Sequence, residues 1–196
     1  MFQYLSYLVF LGAAVHLVGA VIYIRDTLSG KTKPNRVSFL LWGLAPMIGV
    51  AAAISDGVRW AILPVFLAGL GPLVVFFISF INPNAYWKLN KSDYLCALFS
   101  VLALILWVVT REPLLAIIFS IISDAFATIP TLIKSWKYPE TETAIAYVAS
   151  LFSALTGFTA IKMGAPAEYI FGIYLVIADT LLVLALYRNK LFLQQS

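Results

Sequence analysis

SIISDAFATIPTLIKSWKYPETETAIAY, residues 120–147, decides how this chain is to be read. Its first half is apolar but carries an acid, Asp124, and a proline, Pro130. Lys134 and Lys137 then mark a water boundary, and a short basic turn through Pro139 leads into a Thr-rich start and another apolar run. The stretch therefore predicts the end of one membrane helix, a turn, and the beginning of the next. Ser120, Asp124, Ala127 and Thr131 recur at intervals of four, three and four, which puts them on one helix face, with Ser123 and Thr128 beside them. A carboxyl group inside hydrocarbon is costly, so Asp124 is expected to face a cavity or a partner.

Residues 12–42, GAAVHLVGAVIYIRDTLSGKTKPNRVSFLLW, are a paler copy of the same pattern. Setting Pro34 on Pro139 brings Trp42 onto Tyr147, Ser38 onto Thr143 and Ala45 onto Ser150. With a loop longer by three residues in the first copy, His16 falls on Asp124, Gly12 on Ser120, Gly19 on Ala127 and Tyr23 on Thr131. Beyond the next turn, Gly57 on Gly164 carries Pro72 onto Asp179.

The composition agrees with a membrane protein. The chain has 196 residues, 62% of them hydrophobic and 11% charged, with a mean hydropathy of +0.96. A soluble domain carries roughly 25% charged residues. Apolar runs at about 4–24, 36–54, 59–81, 94–110, 113–133, 142–161 and 166–187 are each long enough, or nearly so, to cross the bilayer. They lack strand-like alternation, and open sheets do not cross lipid, so an all-α protein with seven transmembrane helices is expected. The first run has no basic segment before it and reads as a retained span. The single Cys96 allows no intramolecular disulfide.

The net charge of +4 does not point to nucleic acid, because the basic residues are scattered over short loops. They orient the chain instead. Seven spans put Arg25, Lys31, Lys33, Arg36, Lys88, Lys91, Lys134, Lys137, Arg188 and Lys190 on one side, and Arg59, Arg111 and Lys162 on the other. The bias makes the first side cytoplasmic, with the N-terminus outside and the C-terminus inside, most simply in the cell membrane.

Spans 1–3 thus match spans 5–7. Span 4 returns the chain so that both copies enter in the same sense, a parallel repeat about an axis along the membrane normal. The expected division is residues 1–82 for the first three-helix repeat, 83–112 for linker helix 4 with its loops, and 113–196 for the second repeat and tail. TIPTLIKSWKYPETET, with a proline late in a helix, a polar residue after it, a basic stretch and a Ser/Thr-rich helix start, resembles a PQ-loop motif. Thr131 stands where that motif has glutamine, and the first copy has Ile22 at the proline position. The 3+1+3 layout is similar to SWEET-type (MtN3) and PQ-loop transporters, and carriers of the PnuC type share it. The resemblance implies alternating access around a central pocket lined by the third helix of each repeat, where Asp179 falls.

The candidate substrate-binding residues are Asp124, Asp179, Trp42, Tyr147, His16, Ser120, Thr128 and Ser150, with Tyr174 and Ser153 behind them. Asp124 and Asp179 suit contact with a solute or a proton, and ionised acids would favour a cation. Trp42 and Tyr147 offer aromatic faces with polar edges. His16 is the only histidine, and Gly12 and Gly19 on its helix suit close approach of a neighbour. Pro46, Pro64, Pro72 and Pro130 fall inside helices, where each removes a backbone bond; Pro46, Pro72 and Pro130 are the candidate hinges. Tyr86, Trp87, Trp136 and Tyr138 read as headgroup anchors. No metal site, cofactor loop or catalytic constellation is expected. The expected function is a transporter of a small polar solute, such as a sugar, amino acid or vitamin, with proton coupling through the two acids. A receptor, sensor or scaffold of the same fold that binds without transport is the alternative, and an intramembrane lipid enzyme a more distant one. The expected partners are the lipid bilayer and the solute; no sequence feature sets an oligomeric state.

Overall fold

The computed structural model of the chain describes residues 6–110 and 112–192. The beginning of the first span, Arg111 and the end of the tail lie outside them. The described residues form seven α-helices and no strand: α1 (Leu8–Leu28), α2 (Arg36–Ser55), α3 (Leu63–Ile78), α4 (Lys91–Thr110), α5 (Pro113–Lys137), α6 (Ala144–Gly157) and α7 (Pro166–Phe192). A 3-10 turn, Trp60–Ile62, leads into α3, and another, Phe158–Ala160, prolongs α6.

Five of these helices, at Leu8–Leu28, Arg36–Ser55, Trp60–Ile78, Pro113–Lys137 and Pro166–Arg188, are long and apolar enough to cross a membrane. Ala144–Ala160 is a shorter apolar helix. Large apolar side chains stand exposed on the outer faces, among them Leu17, Val18 and Val21 on α1, Phe77 on α3, Val109 on α4 and Ile177 on α7. Such a surface needs a lipid neighbour, and the chain is an integral membrane protein by this measure.

The helix starts follow local chemistry. Asn35 caps α2, its Oδ1 accepting from the backbone N–H of Val37 and Ser38. Pro34 therefore precedes the cap and does not begin the helix. Pro64 sits in the first turn of α3, where its missing N–H costs no helical bond, so it is not an interior kink. Pro46, Pro72 and Pro130 do lie inside helices. Gly57 and Gly164, matched in the sequence, both adopt left-handed φ (86° and 69°) in the turns after α2 and before α7.

Helix ends gather at two poles. At the first, Arg36 of α2 donates to Ser79 after α3 and its guanidinium lies over the rings of Phe80 and Tyr86. Asn82 donates to the Leu28 carbonyl, Lys33 N–H donates to Thr141, Trp87 packs on Tyr138, and Arg188 reaches the Ser135 carbonyl. This pole holds most of the basic loop residues and is called the basic end below. At the opposite end Phe10 packs edge-on against Trp60, and Glu168 accepts from the N–H groups of Lys162, Met163 and Gly164.

Within the bundle α3 packs on both α1 and α2, and α7 packs on both α5 and α6. α1 runs along α6, α2 along α5, and α4 lies mainly against α5. Glycine makes the α1–α6 contact close. A Cβ on Gly12 would run into Thr156 Oγ1, and one on Gly19 would stand 2.6 Å from Ala149 Cβ. Two apolar cores result. One, around Val50, Val65, Ile117 and Phe171, fills the end opposite the basic pole. The other, around Tyr23, Phe39, Trp42, Tyr147 and Leu182, fills the basic end.

Candidate functional site

Between the two cores lies a cavity at mid-depth of the helices. Its free space, counted as room for the centre of a water molecule, is about 90 Å³. One water needs about 10–15 Å³ by that measure, so the cavity holds several waters or one small solute. His16, Trp42, Asp124, Thr128, Tyr147, Ser150 and Asp179 all line it, as do Pro46 and Pro72. Ser120 does not: it is buried between helices near Gly49. Pro130 is buried away from the wall, and so is Ser153.

The sequence register recurs on the wall. His16 and Asp124, Trp42 and Tyr147, and Pro72 and Asp179 are matched pairs, and both members of each line the cavity. The same offsets carry Ala20 onto Thr128, Ala68 onto Leu175, Gly71 onto Ala178 and Val75 onto Leu182, and these too line it on both sides. The rings of Trp42 and Tyr147 stand edge to face with centroids 6.4 Å apart.

A hydrogen-bonded group fixes Asp124 on α5. Tyr174 of α7 donates its hydroxyl to Oδ2 at 2.7 Å. Thr128 donates to the Asp124 carbonyl one turn back at 2.8 Å and accepts the indole N–H of Trp42 at 2.8 Å. The Tyr174 and Thr128 hydroxyls lie 3.1 Å apart. Helices α2, α5 and α7 thus meet at one polar knot, while Asp124 Oδ1 has no protein partner. Asp179 of α7 faces the same cavity as Ser150 of α6, and its Oδ2 also has none. The two carboxyls line the same cavity. His16 is buried on the wall, and its Nδ1 is unpaired.

Below this level, at the basic end, lies a buried ion pair. Lys134 Nζ lies 2.6 Å from Glu142 Oε1, with the two side chains 1% and 0% exposed. The ammonium also donates to the Lys33 carbonyl and lies 3.4 Å from that of Thr141, and it sits 5.0 Å over the ring of Trp87. Glu142 Oε2 accepts the hydroxyls of Tyr23 at 2.7 Å and Tyr147 at 2.9 Å. Every donor of Lys134 and both oxygens of Glu142 are occupied, which is what allows charge to stay out of water here. Lys134 is therefore not at the water boundary where its position suggests; α5 continues through it to Lys137, which is exposed.

Sequence reading alone did not find Glu142, and it placed Tyr23 only on a helix face. The signal was faint: an acid in a turn next to a helix start is ordinary, and its phenol partner Tyr23 lies 119 residues away.

No family model matches the chain, and no curated protein or solved structure matches it.

Proposed function

We propose that the chain is a transporter that carries a small polar solute across the membrane by alternating access. Two parallel three-helix repeats, joined by linker helix α4, would rock about the central cavity. The observation that carries this reading is the cavity itself: sequence-matched residues from both halves line it, and unpaired carboxyl oxygens of Asp124 and Asp179 stand at its mid-depth. Buried polar groups are almost always paired, so an unpaired oxygen on each of two acids in an apolar bundle calls for an external partner. The helix contacts support the same layout, since the α1–α6 and α2–α5 pairings, and the α1–α3–α2 and α5–α7–α6 sets, exchange when the halves are exchanged.

In this mechanism the Lys134–Glu142 pair with Tyr23 and Tyr147 closes the basic end, which faces the cytoplasm by its charge. The core around Phe171 closes the outer end. Pro46 and Pro72, on the cavity wall, supply the flexible points.

Flux into proteoliposomes over a panel of sugars, amino acids and amines tests the reading. Saturable uptake is expected, and Asp124→Asn is expected to lower it at least about tenfold, the loss of one charge-assisted contact. An imposed pH gradient in the same vesicles reads proton coupling. Binding without flux for every solute would replace the transporter with a sensor.

A further inference from the structure

Most side-chain donors described on the cavity wall are already spent on another protein group. The Trp42 indole goes to Thr128, Thr128 to the Asp124 carbonyl, and the Tyr23 and Tyr147 hydroxyls to Glu142. Tyr174, beside the wall, is spent on Asp124. Asp124 Oδ1, Asp179 Oδ2 and His16 Nδ1 have no partner, and the oxygens of an ionised carboxylate only accept. Pro46 and Pro72 add to this side of the inventory, because each leaves the carbonyl four residues earlier, of Trp42 and Ala68, without its helical donor. Both of those residues line the cavity.

Charge points the same way. Among the described residues no Lys or Arg lines the cavity; Lys134 is committed to Glu142, and Arg36 to Ser79 and the rings of Phe80 and Tyr86. Two carboxyls on one wall thus have no positive counterpart among its described residues. The remaining surface is apolar and aromatic, with Phe39, Tyr23, Trp42 and Tyr147 facing Ala, Val and Leu side chains, which suits a short hydrocarbon and attracts a cation through ring faces.

We infer that the solute is a small primary ammonium: a donor-rich cation whose N–H groups meet the free oxygens of Asp124 and Asp179, with a short apolar body against the aromatic wall. A primary ammonium presents three donors and no acceptor, the complement of the free carboxylate oxygens of Asp124 and Asp179. A neutral sugar would bring no charge to them, and a quaternary ammonium would leave them without a donor. The inference rests on the cavity being the solute site.

Calorimetric titration of the purified full chain in detergent decides it, with n-propylammonium, tetramethylammonium, 1-propanol and propionate as probes. Propylammonium is expected to bind saturably, and each of the other three at least about tenfold more weakly. Asp124→Asn and Asp179→Asn are each expected to weaken propylammonium about 30-fold, as loss of one partner of a buried charged contact does. The exposed Asp56→Asn should leave affinity unchanged. Asparagine keeps the shape of aspartate, and thermal melts of the same samples report whether the variants are folded. Equal binding of propanol, unaltered binding in both folded Asn variants, or no saturable propylammonium binding overturns the inference. Binding here without flux in vesicles would sink the transporter and leave the ammonium site standing; flux of neutral solutes with no propylammonium binding would do the reverse.

Discussion

Toward the basic end the helices beyond the cavity are joined by charge and hydroxyl groups; toward the other end they are joined by rings laid against glycines. The first closure is Lys134–Glu142 with Tyr23 and Tyr147. In the second, a Cβ on Gly49 would meet the Phe171 ring at 2.8 Å, and one on Gly157 would meet Pro64 at 3.0 Å. Water acts differently on the two. If the basic end parts, both ions are hydrated as they separate, so opening replaces one compensation with another. If the other end parts, apolar surface is exposed at roughly 25 cal/mol per Å² with nothing gained in exchange. The polar closure therefore depends on keeping its pair intact, and the apolar closure on shape.

The largest effect should come from breaking the pair on one side. Glu142→Gln leaves Lys134 buried without its counter-charge, a change that costs about 3–5 kcal/mol. Adding Lys134→Met in the same chain removes the stranded charge, while the carboxamide oxygen of the substituted side chain can still accept from the tyrosines, and should recover most of the loss. Thermal unfolding in detergent reads both. A single variant as stable as the parent would mean that water already reaches Lys134, and the contrast between the two ends would fail.

That ion pair is also where the sequence was least legible. Five of the spans could be read because long apolar runs have one stable form in lipid. Asp124, Asp179 and His16 stood out as polar residues in apolar runs, and the register that matched Trp42 with Tyr147 brought together two residues whose rings do meet. Lys134 was different. A lysine before a polar turn has the pattern of a boundary, and only the Lys33 carbonyl, 101 residues earlier, together with Trp87 and Glu142, keeps it inside. Tertiary partners at such distances leave no periodicity to read.

The apolar end should respond more gently. Gly49→Val places methyl groups where the Phe171 ring lies, and overpacking of this kind costs about 1–3 kcal/mol. Phe171→Leu in the same chain frees room and should restore part of it, again by thermal unfolding. A Gly49→Val protein with parental stability and raised flux would indicate that this end stands open at rest, and that shape does not hold it.

The smallest effect is expected at Ser120, which lies beside that closure, its Cβ 3.7 Å from the position a Gly49 Cβ would take. Its Oγ is buried and has no protein partner. Deleting an unpaired buried hydroxyl removes a desolvated group and no hydrogen bond, so Ser120→Ala should change stability by no more than about 0.5 kcal/mol, in either direction. Flux should also be unchanged, because Ser120 is off the cavity wall. The outcome matters more than its size. A folded Ser120→Ala protein with lost flux would put this hydroxyl on the solute's route, and that route would then run through the apolar closure along α2 and α5, making the ring on Gly49 a door and not a wall.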